Sequence, residues 1–240
     1  MQQSNTYTLI FTAVVTIILG FMLSMASESL REHKELNVAI DQKKNILRSL
    51  DFVETEEEPW TIDRIQSLFD EYIVSFVIDR SGNKVDGINV NELNPKIHTD
   101  LYPIYYRVGN GNVIDGYSIP ISGKGLWSTL FGYFALEADG ATVKGITFYK
   151  HKETPGLGGE VEKDWFTRNF IGKRIIDDSG NLVSIHILKG EVDESSPEAY
   201  RQVDGISGAT MTTKGLNEFL LSDLQKYEPF FIRIRTGSDS

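Results

Sequence analysis

The run Asp204-Gly205-Ile206-Ser207-Gly208-Ala209-Thr210 sets small residues and hydroxyls directly before a segment with helical spacing, Met211 to Tyr227. That junction suits a phosphate ester. The first N–H groups of a helix lack internal acceptors and carry the positive end of the macrodipole, so an anion there gains hydrogen bonds and charge stabilisation. Ser207, Gly208 and Ala209 leave room for the approach, and Thr210 offers a hydroxyl at the helix mouth. Thr212 and Thr213 add oxygens and possible caps. Lys214, one turn beyond Thr210, is placed to neutralise phosphate, or is simply a solvated lysine. Without a further signal the same pattern is that of an ordinary N-cap after a glycine turn.

A second stretch adds that signal. His151-Lys152-Glu153-Thr154-Pro155-Gly156-Leu157-Gly158-Gly159 combines one proline with three glycines, so its backbone can pass close to a flat ring while Leu157 offers an apolar face. The heptad ending at Thr210 resembles the D-x-x-S-G-A-T signature of proteins that carry FMN covalently through a phosphoester. Glu153 to Gly158 resembles the E-T-P-G-L-G stretch of the same FMN-binding domain. Including the N-terminal anchor, Ser29 to Lys44 and Gly123-Lys124-Gly125-Leu126-Trp127, the resemblance covers most of the chain. It is to the C-subunit family of the bacterial sodium-translocating NADH:quinone reductase. The related G subunit of the Rnf electron-transport complex shares the anchor and both motifs; the N-terminal register and the acidic spacer before Pro59 favour the quinone reductase.

The resemblance implies FMN esterified to Thr210, with Asp204, Ser207, Gly208 and Ala209 as its recognition turn. It also implies a ring resting on Glu153, Thr154, Leu157 and Gly158, with Trp127 as a possible neighbour. It implies electron relay from an iron-carrying membrane subunit to a second FMN-bearing subunit, and a flavin transferase for maturation. The alternative from a different class is a membrane-anchored binding or scaffold module in which Ser207 to Thr210 is merely a cap.

Composition is compatible with relay rather than with group transfer. With no cysteine the chain can own no disulfide, thiolate nucleophile or iron–sulfur cluster. Its four histidines lack H-x-x-x-H spacing, so no metal site is expected. Gly109-x-Gly111 and Gly156-x-Gly158 lack the third glycine of a dinucleotide fingerprint, so NADH is expected to bind elsewhere. A net charge of -10 argues against nucleic acid or anionic lipid as chief partner.

These residues need positioning elements. Met1 to Ser27 holds no charged side chain, and Tyr7 to Ala26 supplies the ~20 apolar residues a bilayer core requires. A retained span is expected, against the rival of a signal peptide cleaved after Ser24-x-Ala26. Basic residues follow the span and none precedes it, so charge alone would hold the large domain in the cytoplasm. The resemblance implies the periplasmic side of a bacterial inner membrane. From Ser29 to Leu50 the apolar period is helical, Glu54 to Pro59 breaks it, and Asp63 to Ile73 resumes it after a Thr61 cap.

Alternation then predicts strands at Val74 to Asp79, Tyr102 to Val108, Val113 to Ile121, Phe131 to Leu136 and Thr142 to Tyr149. A hairpin is predicted over Lys173 to Ile176 and Leu182 to Leu188, short helices at Trp165 to Phe170 and from Ser196-Pro197, and a closing strand at Phe230 to Arg235. The expected class is α+β: an anchor at 1–27, a helical stalk and helix pair at 28–73, and an FMN-binding domain of antiparallel strands with interspersed helices at 74–240.

Overall fold

The computed structural model describes residues 5–94, 97–109, 111 and 113–237. Met1 to Ser4 of the expected uncharged run, and Asn110 and Asn112 between the expected strands Tyr102 to Val108 and Val113 to Ile121, lie outside the described residues. The chain divides into two compact units, Met1–Asp41 and Gln42–Ser240. In the first, α1 (Asn5–Ser29) is a 25-residue helix with no buried residue, long and apolar enough to cross a membrane. Helix α2 (Arg31–Ser49) begins in this unit and ends in the second.

The second unit is built on an antiparallel sheet of six strands in the order β2-β1-β3-β4-β5-β6. The strands are β1 (Ile73–Asp79), β2 (Lys84–Val85), β3 (Leu101–Val108), β4 (Ile114–Lys124), β5 (Thr129–Glu137) and β6 (Val143–Lys150). The register Tyr105↔Ser118↔Ala135↔Gly145 fixes which side chains share a face. On that face Ser118, Ala135 and Gly145 are small, and the C-terminal part of α2 comes down on them. Ser49 Oγ lies 2.8 Å from Ser118 Oγ, Thr147 Oγ1 donates to the Asn45 carbonyl at 3.1 Å, and Arg107 donates to the Leu50 carbonyl at 2.9 Å. A Cβ on Gly145 would stand 2.5 Å from the Ser49 carbonyl oxygen. Helix α3 (Ile62–Tyr72) follows, with the Thr61 hydroxyl accepting from the Arg64 N–H as its cap.

The opposite face presents Ile104, Tyr117, Ile119, Ile121, Phe134 and Ile146 to the helix α5 (Thr210–Thr236). Its Leu216, Phe219, Leu220, Leu224, Tyr227, Phe230 and Phe231 are buried at helical spacing. Between β6 and α5 the chain makes α4 (Asp164–Thr167) and a short parallel pair, β7 (His186–Ile187) with β8 (Gln202–Val203). The architecture is α+β, as expected.

Two expectations fail. Phe230 to Arg235 is not a strand but the last turns of α5, which runs through Pro229. Proline removes one helical hydrogen bond and crowds the carbonyl four residues back, at a cost of roughly 3 kcal/mol. Burial of Phe230 and Phe231, each contributing about 1.5–3 kcal/mol, offsets it. The alternation Phe231-Ile232-Arg233-Ile234-Arg235 is misleading because Ile232 is exposed, whereas a strand face would have buried it. The hairpin over 173–188 shrinks to one bridge, Ile176↔Leu182, because Ser184 takes a left-handed φ of 60°. His186 and Ile187 then pair with β8 instead.

Candidate functional site

The first turn of α5 has no side-chain cap. Ala209 occupies the N-cap position and makes no side-chain bond. Among the described residues the N–H groups of Thr210, Met211 and Thr212 find no acceptor, the first bond into the helix being Thr213 N–H to the Ala209 carbonyl at 3.0 Å. Thr210 is exposed, and among the described residues its hydroxyl has no partner. Thr212 and Thr213 do not cap, contrary to expectation. Both are buried: Thr213 Oγ1 bonds back to the Ala209 and Thr210 carbonyls, and Thr212 points inward. Asp204 is not a cap either. Its Oδ1 accepts the Val192 N–H at 2.7 Å and ties the turn to the 190–193 loop.

Gly208 has φ 74°, a left-handed conformation that glycine adopts without strain, and a Cβ there would meet Leu157 Cδ2 at 2.6 Å. The two motifs, 51 residues apart between those positions in the sequence, therefore touch. Gly158 makes the second contact, since its Cβ would stand 2.5 Å from Thr212 Oγ1 and 2.8 Å from Glu153 Oε2. The 156–160 loop is held by Glu160, whose carboxylate accepts from Gly156 N–H and from Trp165 Nε1, each at 3.1 Å. The Thr154 carbonyl accepts from Leu157 and Gly159.

Glu153 is only 5% exposed. Oε1 accepts the N–H groups of Trp127 at 2.9 Å and Ser128 at 3.0 Å, with the Ser128 hydroxyl at 3.4 Å. Oε2 accepts Leu126 N–H at 3.2 Å and the Thr212 hydroxyl at 2.8 Å. Burial pushes this carboxyl up, but the bonds from Trp127, Thr212, Ser128 and Leu126 outweigh it and hold the group below its ordinary value. With both oxygens bonded internally, the Glu153 carboxylate ties the Leu126–Ser128 turn to Thr212. Trp127, by contrast, is 70% exposed, and Leu126, Leu157 and Met211 are exposed around the same turn. Lys214 is exposed too, with Nζ 3.8 Å from Glu218 on the next turn.

One end of the second unit thus carries a helix start with N–H groups left without acceptors among the described residues, beside a solvent-facing apolar surface. A cavity of about 360 Å³, lined by Arg48, Glu54, Lys144, Thr147 and Arg168 among others, contains no residue of either motif.

Residues 125–222 match the FMN-binding domain family. The C subunit of the Na(+)-translocating NADH-quinone reductase of Pseudomonas aeruginosa is 33% identical, covering 98% of this chain and 98% of its own length. Its counterpart in Vibrio anguillarum is 32% identical over 96% of this chain and 95% of its own. The chain belongs to this C-subunit family. A crystal structure of the family member from Parabacteroides distasonis superposes with a TM-score of 0.72 at 31% identity, covering 84% of this chain and 96% of that one. That of Shewanella oneidensis, at 23% identity and TM-score 0.70, shares the fold.

Within this family frame the matched domain runs from the Gly125 turn to the middle of α5, so it takes in Trp127, the 153–159 loop and Thr210 together. Sequence reasoning singled out all three, and the fold links them through Glu153 and through the approach of Leu157 to Gly208. It missed the inward role of Thr212 and the parts played by Ser128 and Glu160. The available signal was Thr212's position two residues after Thr210, about 200° around the helix and so on its opposite side.

Proposed function

We propose that this chain is the membrane-anchored, FMN-carrying electron-transfer subunit of a sodium-translocating NADH:quinone reductase, with the flavin held by a phosphoester to Thr210. What carries the reading is the unpartnered Thr210 hydroxyl at an uncapped helix start, directly beside the Leu157 loop. The residues fit the group. The free N–H groups of Thr210, Met211 and Thr212 meet the needs of a phosphate diester anion. Ser207 and Gly208 are exposed and leave access, and Leu126, Trp127, Leu157 and Met211 offer an apolar platform to a ring.

Attachment forms the bond from Thr210 Oγ to phosphorus while the phosphoanhydride of a flavin dinucleotide donor held by a transferase breaks; the donor's nucleotide half leaves as its monophosphate, and the hydroxyl proton is lost to solvent or to the transferase. When bound, FMN supplies reversible one- and two-electron redox chemistry. The protein's own residues tether the phosphate end, exclude water from one face of the ring and fix its polar surroundings. A tether also removes cofactor dissociation, which matters on the periplasmic side of an inner membrane where no free FMN pool refills the site. The expected neighbours are an iron-carrying membrane subunit as donor and a second FMN-bearing subunit as acceptor. Full-length protein produced with a flavin transferase should give a yellow, fluorescent band after denaturing electrophoresis. A colourless band under those conditions refutes covalent attachment and returns the scaffold reading.

A further inference from the structure

We propose that Glu153 and Thr212 are positioning residues that lock the Leu126–Trp127 turn to the first turn of α5, and so set how the tethered flavin meets Trp127. This rests on the flavin reading above. Three consecutive N–H groups, those of Leu126, Trp127 and Ser128, converge as an anion-binding concavity, and the anion they hold is the chain's own Glu153 carboxylate. The same carboxylate takes the Thr212 hydroxyl at 2.8 Å. The space around it is closed on both sides by glycine. A Cβ on Gly125 would stand 2.7 Å from Glu153 Oε1, and one on Gly158 would stand 2.8 Å from Oε2. No cation is paired with Glu153 among the described residues, so its charge is balanced only by hydrogen-bond donors.

The arrangement couples two things that are separate in sequence. Thr210 and Thr212 project from nearly opposite sides of one helical turn. The outward one bears the tether and the inward one grips the carboxylate that holds the Trp127 backbone. Trp127 and Leu126 are meanwhile 70% and 45% exposed on a turn whose main chain is held by that carboxylate. Large apolar side chains exposed on a turn whose main chain is held by a buried carboxylate are placed for something to cover, and the tethered ring is the group within reach of the same helix turn.

The test uses full-length, flavin-loaded protein carrying Glu153→Gln, Thr212→Val or Thr212→Ser, with Trp127→Ala as a reference. Glutamine presents one NH₂ where a second acceptor is needed, so it loses part of the donor set. Valine keeps the shape of threonine without its hydroxyl, and serine keeps the hydroxyl. All should retain the fluorescent band, because Thr210 is untouched. Glu153→Gln and Thr212→Val should shift the flavin absorbance, emission and midpoint potential in the direction that Trp127→Ala shifts them. Thr212→Ser should match the parent. Spectra and potentials equal to the parent in both Glu153→Gln and Thr212→Val overturn the lock, as does a Thr212→Ser variant indistinguishable from Thr212→Val. Should Glu153→Gln fail to fold, the Thr212 pair decides alone. A parent with no attached flavin is a different failure: it overturns the flavin reading itself and this use of the lock with it.

Discussion

Glu153 shows how a side chain that its motif marks as part of a site takes its bonding partners from the fold. Only the fold reveals that its carboxylate faces inward and accepts from the Trp127 turn and Thr212. Burial raises its pKa and the hydrogen bonds lower it further than burial raises it, leaving it below the ordinary 4.5. A depressed carboxyl stabilises the folded state fully above the unfolded pKa, and that contribution fades as pH falls below 4.5 through the folded value. The gap in thermal stability between the parent and Glu153→Gln should therefore be widest near neutral pH and close on acidification below 4.5. A gap that is constant with pH would show that the charge is not what braces the turn. His151, whose Nδ1 accepts the Glu153 N–H and whose Nε2 faces Glu162, is common to both proteins and drops out of the difference. Leu157 makes the complementary case. It covers Gly208 and remains 42% exposed, so Leu157→Ala should cost little stability yet shift the absorbance and potential of the attached flavin. An unaltered spectrum in that variant would remove the loop from the ring's surroundings.

At the scale of elements, helix α5 unites site and scaffold: its first turn holds the candidate tether, and its remaining turns bury a continuous apolar stripe against the sheet. The other face of the sheet is covered by the end of α2, and that contact depends on a missing side chain. In Gly145→Val the new Cβ would stand 2.5 Å from the Ser49 carbonyl oxygen, a backbone atom with little room to yield. The substitution should lower stability by about 1–3 kcal/mol, seen as a lower Tm, while leaving flavin attachment intact. An unchanged Tm would mean that α2 does not seat there. The strands of the sheet were legible because one face alternates strictly. Tyr117, Ile119 and Ile121 go to α5, and Gly116, Ser118 and Pro120 go to the other side. The end of α5 was not legible, since proline and a local period-two pattern both argued for a strand, and only the depth of Phe230 and Phe231 in the core decided otherwise. Nor was the β7–β8 pair, because its partners are 16 residues apart and parallel, a pairing that no turn residue announces.

For the whole molecule, the apolar α1, whose one charged residue is Glu28 near its end, and the acidic second unit assign anchoring and solubility to different parts of the chain. Full-length protein should sediment with membranes and stay there in high salt, whereas a version beginning near Arg31 should be soluble. Release of the full chain by salt alone would indicate surface attachment rather than insertion. Charge read alone would keep the large domain in the cytoplasm, although the cations that follow the span alternate with acids from Arg31 to Asp41. The sequence did bring Thr210 and the 153–159 loop together, though only through the resemblance; the contact itself, Leu157 on Gly208, belongs to the folded chain. The central claim is the ester at Thr210, and peptide mass spectrometry of protein produced with a flavin transferase tests it most directly. The account predicts that the peptide containing Thr210 gains the mass of FMN less one water. Thr210→Ala should lose that mass while its stability changes by no more than about 0.5 kcal/mol, as expected for an exposed turn residue. Flavin found on any other residue, or still attached in a denatured digest of Thr210→Ala, would contradict the account.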